Sequence, residues 1–273
     1  MTGVLAGIED ARGISFAECD YFVGTSAGSI VAAKLATGRA LKRPAERVDA
    51  APGGQSPPPT SPVPTWATNS AMAIAAPFAR VGLRVGTMPG ELVRGAVLRA
   101  VPTSATDTLD FRGAFPADTV RFDGRLRVVA VERLSGKRVV FGAPGAPQAT
   151  VEQALTASCA LPLTFAPAVI AGCEYVDGAT WSPTNADVAP ATREAQVLIL
   201  SPMASLHGPF HQGVRTLSRA AMLLEASALK ARGARVRMIT PDRNSAVSIG
   251  RDLMSGAGQE ETLAAGYQQG LAL

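Results

Sequence analysis

Residues 19–35 read CDYFVGTSAGSIVAAKL, and this stretch decides the fold. Cys19 to Val23 predicts a compact apolar strand ended by Gly24. A helix signal begins near Ala27, where Ile30, Val31, Lys34 and Leu35 give a partly buried face, and Gly38 and Pro44 close the unit. Just upstream, Thr2 to Ala11 predicts a short helix with Val4, Leu5 and Ile8 on one side. Helix, strand, tight turn, helix is the order that a mostly parallel central sheet with covering helices requires, so the expected class is α/β.

The turn carries chemistry as well as topology. Gly24-Thr25-Ser26-Ala27-Gly28 fits G-x-S-x-G between a strand and a helix. A serine there occupies a sharp turn that lifts its hydroxyl clear of the sheet, and small neighbours let strand and helix approach. The helix offers its N-terminal amides to negative charge, with the Ala27 N–H as the first oxyanion donor. The competing reading is an ordinary tight α/β turn in which Ser26 caps the helix.

Further along, Leu126–Glu132 (LRVVAVE) and Lys137–Phe141 (KRVVF) predict strands joined around Ser135-Gly136. Pro147–Ser158 predicts a helix, Val169–Val176 a strand with a turn near Gly172, and Gln196–Leu200 (QVLIL) a buried strand. Gly213–Arg232 is the longest helix signal, with Val214, Leu217, Ala221, Leu224 and Ala228 as its apolar face. Arg235–Thr240 is one more strand, stopped by Pro241. Residues 45–65 are rich in Pro, Gly, Ser and Thr and predict an exposed, mobile loop within a single domain spanning 1–273. Trp66–Ala79 and the predicted helix Pro89–Arg99 form either a flap over a lipid site or a surface excursion with one packed helix.

Bulk properties narrow the function classes. The chain has 273 residues, 27 Gly and 20 Pro, and is nearly half apolar, which suits a globular α/β domain with ample loop. The net charge of +4 is scattered, with no patch of the kind that binds nucleic acid. Prolines at 57, 58, 59, 62, 64 and 77 break the longest uncharged run, so no transmembrane helix is expected there. The opening residues lack a basic leader, which predicts a cytoplasmic chain, peripheral at a membrane at most. Cys19, Cys159 and Cys173 have no metal-like spacing and predict buried free thiols.

Ser26 needs a base. An α/β-hydrolase triad would draw on His207 or His211, but these lie late, in LHGPFHQG, with Gly208 and Pro209 between them. The alternative is Asp177 in Tyr175-Val176-Asp177-Gly178-Ala179, directly after a strand-like run. An Asx-turn acid beside a glycine is the ordinary reading of that position. A carboxylate with a reference pKa of about 3.9 is a poor base for an alcohol unless it is partly stripped of water beside the serine. Backbone N–H groups around Gly178 and Ala179 would then hold it in place.

The pair Gly24-Thr25-Ser26-Ala27-Gly28 and Asp177-Gly178-Ala179 resembles the two signature motifs of patatin-like phospholipases. Ala157-Ser158-Cys159-Ala160-Leu161-Pro162 resembles the family's A-S-x-A-x-P segment, and Ser182-Pro183-Thr184-Asn185 its asparagine-bearing loop. The likeness covers Thr2–Ala40 and Leu126–Pro241. It implies a three-layer α/β/α fold and a Ser–Asp dyad of Ser26 and Asp177 that needs no metal or cofactor. It also implies a lipid or small ester as substrate, with transient membrane contact. Outside the likeness, the apolar stretch Ala71–Phe78 reads either as an acyl-pocket or lipid-contact segment or as ordinary packing. Silent interaction domain and acyltransferase are the rival functions. The family's first strand and glycine-rich oxyanion loop precede the helix that Gly3-Val4-Leu5 resembles, and this sequence shows neither. Losing one oxyanion donor costs about 3 kcal/mol in the transition state, so weak activity is expected unless another segment fills that place.

Overall fold

The computed structural model describes residues 1–45, 88–102, 107–115, 121–207, 212–249 and 258–273. Apart from Ala45, the Pro-rich stretch 45–65 lies outside these residues, as do Trp66–Ala79, with the Ala71–Phe78 stretch, and His211.

Strand β2 (Leu126–Glu132) is the spine of the main sheet, because a run of six buried residues tolerates no exposed edge. β1 (Phe22–Thr25) pairs with it in parallel, Phe22 opposite Leu126 and Thr25 opposite Val129. β3 (Arg138–Phe141) folds back antiparallel along the other edge of β2. β4 (Ala168–Ile170) and β5 (Cys173–Asp177) form a hairpin around Ala171 and Gly172, both at positive φ, and β5 joins β2 antiparallel. A second, two-stranded parallel sheet pairs β6 (Gln196–Leu200) with β7 (Arg235–Ile239). The α/β class with covering helices is as expected, and the parallel pairings β1–β2 and β6–β7 stand beside antiparallel ones made by β3, β4 and β5. β3 follows β2, and β5 follows β4, through short turns that join antiparallel neighbours. β1 also starts three residues later than the sequence suggests, at Phe22, where its pairing with Leu126 begins.

The period-2 alternation of β2 sorts the helices into layers. Leu126, Val128 and Ala130 face a core shared with α1 (Thr2–Arg12), α2 (Ala27–Ala36) and α4 (Val151–Cys159). Val131 faces Leu98 of α3 (Met88–Ala100) on the opposite side. In the small sheet, Ile199 and Val197 meet α5 (Gln212–Ala231), whereas Leu198 and Leu200 meet Val4 and Ile8 of α1. Helix α1 thus spans both sheets. α4 begins later than Pro147 because Thr150 and Gln153 form a capping box at its start. α3 packs on the sheet through one face, with Leu98 buried and Arg94 over the Trp181 ring at 3.9 Å, while Leu92, Val93 and Val97 are exposed; the rest of the expected flap, Trp66–Ala79, lies outside the described residues. Among the described residues no helix is long and apolar enough to cross a membrane.

The buried face of α5 is rotated from the expected one. Ser218, Ala221, Met222, Glu225, Ala226 and Leu229 are inside, while Leu224 is 52% exposed. Glu225 takes a core position because hydrogen bonds await it there. The three cysteines are free, but only Cys159 is buried; Cys19 is half-buried and Cys173, at the open start of β5, is exposed.

β1 and β6 are not paired to each other. Tyr21, Phe22 and Val23 on one side and all five residues of β6 on the other line a cavity of about 2770 Å³, with Leu5 and Ile8 of α1 beneath it. That exceeds the roughly 300–1,000 Å³ of an ordinary small-molecule site.

The frame is closed by α1 against α6 (Gln259–Leu271), where glycines let two backbones touch. A Cβ at Gly7 would stand 2.2 Å from the Tyr267 carbonyl oxygen, and one at Gly270 2.2 Å from that of Val4. At Gly266 the nearest atom is 3.4 Å away. Gly7→Ala and Gly270→Ala are therefore expected to destabilise by about 1–3 kcal/mol each in urea unfolding, with Gly266→Ala near neutral. Equal stability of all three variants would remove the close helix contact from the account.

Candidate active site

Ser26 sits between β1 and α2 at φ 52°, ψ −131°, a conformation that a non-glycine residue occupies at a cost of about 1–3 kcal/mol. Its side chain makes no capping bond to α2, so the helix-cap reading does not hold. The strained backbone is pinned on both sides. The Ser26 N–H donates to Ser158 Oγ at 2.9 Å, and Ser158 in turn donates to the Val129 carbonyl at 2.7 Å. The Ser26 carbonyl accepts from the Ser29 N–H at 2.8 Å and from Ser29 Oγ at 2.6 Å. Gly24 is required by contact, since a Cβ there would lie 2.3 Å from Ser29 Cα. Gly28 is not: it faces the open cavity with nothing within 4 Å, so its place in the motif is not explained by strand–helix approach. Ala27 opens α2 on the cavity side, and its N–H is one of the helix's unpaired first donors.

Asp177 ends β5 opposite Ala130, the residue next to Val129 on β2. β3 occupies one edge of β2, so β1 and β5 share the other, running toward each other from opposite ends. Thr25 and Asp177 therefore stand opposite consecutive positions along one strand, about 3.3 Å apart in rise, which brings Ser26, the next residue after Thr25, to Asp177. Gly178 makes the approach possible, because a Cβ there would be 2.4 Å from the Val129 carbonyl oxygen and 3.1 Å from the Thr25 methyl.

The Asp177 side chain is 1% exposed. Burial pushes its pKa up to about 6; the Ala179 N–H, donating to Oδ1 at 2.8 Å, pulls it part of the way back, and a weaker hydrogen bond from the Ser26 hydroxyl acts in the same direction. Its own N–H donates to the Ala160 carbonyl at 2.9 Å. Cys159 lies beside both groups, but burial, aided by the Asp177 charge, pushes its thiol up to about 12 and leaves it protonated at neutral pH. His207 is exposed and outside the cavity that holds Ser26 and Asp177.

Four residues of the site were given no role from sequence. Ser158 supports the strained turn, and Asn185, fully buried, hydrogen-bonds both Thr25 and Gly178. Arg138 holds Asp187 through two bonds of 2.7 Å, and Glu225 accepts from the Ala186 N–H at 2.8 Å and from the Thr184 hydroxyl. Ser158 and Asn185 stood within recognised motifs. For Glu225 the available signal was a charge among Leu and Ala in an otherwise apolar helix stretch.

A family model described as "Patatin-like phospholipase" matches residues 1–190, a range that includes both Ser26 and Asp177 and ends before β6. No curated protein matches the chain.

The raised pKa of Asp177 has a thermodynamic consequence. The folded value, about 6, lies above the ordinary 3.8, so the folded state holds the proton more tightly than the unfolded chain does. Its contribution to stability is complete below pH 3.8 and is lost as pH rises through about 6. Asp177→Asn should accordingly stabilise the protein at pH 8 by up to about 3 kcal/mol, with the gain vanishing near pH 4. Urea unfolding of both forms at the two pH values checks this; a gain of equal size at both would refute the buried-carboxylate account.

Proposed function

Because the chain belongs to the patatin-like phospholipase family, we propose that it hydrolyses carboxylic esters of lipids through an acyl-enzyme on Ser26, with Asp177 as the base. Lipid acyl hydrolysis is the family's chemistry. The observation that carries the assignment of residues is the convergence of a strained serine and a buried carboxylate on one edge of β2.

Asp177 takes the hydroxyl proton as Ser26 Oγ attacks the ester carbonyl. The tetrahedral oxyanion forms in front of α2, where the Ala27 N–H and the helix dipole stabilise it. Collapse expels the alcohol, which leaves with the proton from Asp177. Water then gives a proton to Asp177 and attacks the acyl-enzyme, and the acid departs as Ser26 recovers its proton. Burial supports this cycle, because a carboxylate with a pKa of about 6 is a far better base than one in water and is still ionised at neutral pH. The apolar walls of the cavity at Ser26, among them Ile30, Val31 and Phe165, suit an acyl chain.

A fluorophosphonate probe should label wild type and fail to label Ser26→Ala. Asp177→Asn should lower ester turnover by about 10²–10⁴-fold, whereas His207→Ala combined with His211→Ala should leave it nearly unchanged. Ester turnover surviving in Ser26→Ala would sink the assignment. Products made in the presence of added acceptor alcohols separate hydrolysis from acyl transfer to an alcohol.

A further inference from the structure

We infer that Asn185 is a positioning residue that sets the distance between Ser26 and Asp177 by tying the serine's strand to the aspartate's loop. The inference rests on the dyad proposed above. Asn185 is fully buried and takes a left-handed backbone, φ 48° and ψ 32°, which asparagine tolerates better than most residues. Its Nδ2 group faces three oxygens: Thr25 Oγ1 at 3.1 Å, the Gly178 carbonyl at 3.2 Å and the Ser182 carbonyl at 2.6 Å. Thr25 directly precedes Ser26, and Gly178 directly follows Asp177. One side-chain amide therefore spans the two segments whose convergence the reaction needs.

The environment accepts no other polar group of this shape. Two of the three oxygens are carbonyls, which can only accept, so a donor must stand there. On its other side, Asn185 Oδ1 accepts from Arg138 Nη1 at 3.3 Å, so an acceptor must stand there. Only a primary amide meets both demands. Arg138 is itself fixed by Asp187, and the residues on either side of Asn185 are held by Glu225, through the Thr184 hydroxyl and the Ala186 N–H. Arg138, Asp187 and Glu225 are the charged groups around the amide, and each is engaged in holding this loop. Thr25 Oγ1 adds a bond of 3.4 Å to the Thr184 carbonyl. The clamp is thus anchored to α5 and β3, outside the two segments it joins.

Loss of the clamp frees the Gly178 loop, lengthens the path from Ser26 to Asp177 and lets water reach the carboxylate. Misplacement of about 1 Å costs about a hundredfold in rate. The test is the rate of fluorophosphonate labelling, measured across pH 4.5–8.5 on the full chain, with folding checked by thermal unfolding. Asn185→Asp keeps the shape but turns an acceptor toward two carbonyls. Asn185→Gly keeps the left-handed backbone and deletes the amide. Both are expected to lower the saturating labelling rate about a hundredfold and leave the half-saturating probe concentration within about threefold; Asn185→Asp, which sets a second carboxylate near Asp177, should move the acid limb of the profile to higher pH, and Asn185→Gly should move it to lower pH. Thr25→Val removes one partner without changing shape; it should act in the same direction as Asn185→Gly with smaller effect, and add nothing in that background. It also keeps the test decisive if the Asn185 variants do not fold. Wild-type rates in these variants would overturn the inference, as would slower labelling with an unmoved acid limb, which marks a merely structural residue. Labelling of Ser26→Ala would instead overturn the dyad, and the positioning role with it.

Discussion

Two neighbouring residues of β2, Val129 and Ala130, hold this structure's chemistry together. Thr25 stands opposite the first and Asp177 opposite the second, on the same edge of the strand. One pairing is parallel and the other antiparallel, so the strands arrive head to head and their ends meet. The 150-odd residues between Ser26 and Asp177 matter to the site mainly because they end at this register. A slip of one position in either pairing would turn one of the two side chains to the other face of the sheet and separate the pair.

Function at this place works against stability. Ser26 is held in a backbone conformation that only surrounding bonds can maintain, and those bonds come from Ser158, Ser29 and, through Ser158, β2. Asp177 is held as a buried carboxylate with few donors, which is why its proton is bound tightly and why the proposed reaction would gain from it as a base. Asn185, Arg138 and Glu225 form a polar frame around these two, fully hydrogen-bonded where it touches them. Such a frame suits a site that has to stay dry and rigid.

Much of the fold was legible because it is local. The G-x-S-x-G turn declares itself within five residues, Ala171-Gly172 marks the β4–β5 hairpin, and LRVVAVE has the apolar continuity of a central strand. Other readings failed where a distant partner decided the outcome. The apolar face of α5 was misread because Glu225 is buried by its bonds to residues 184 and 186, some 40 positions away. Gly28 was credited with the role that Gly24 fills, because the motif does not say which glycine faces the strand and which the cavity. β1 begins at Phe22 and not at Cys19 because a strand starts where its partner does, and β2 starts opposite Phe22 at Leu126.

Taken alone, the chain's order of residues determined the α/β class, the strained turn at Ser26, the strand-end position of Asp177 and the membership in a lipid-hydrolase family. These follow from short-range rules: steric limits on a tight turn, capping, and alternation along a strand. Only the tertiary structure decided that Asp177 is buried, that its pKa is raised, that Asn185 bridges the two motifs, and that β1 and β6 border one open space. Burial and hydrogen-bond partners are properties of what lies nearby in space, and pairing register, which brings remote segments together, is set by the packing of the whole sheet.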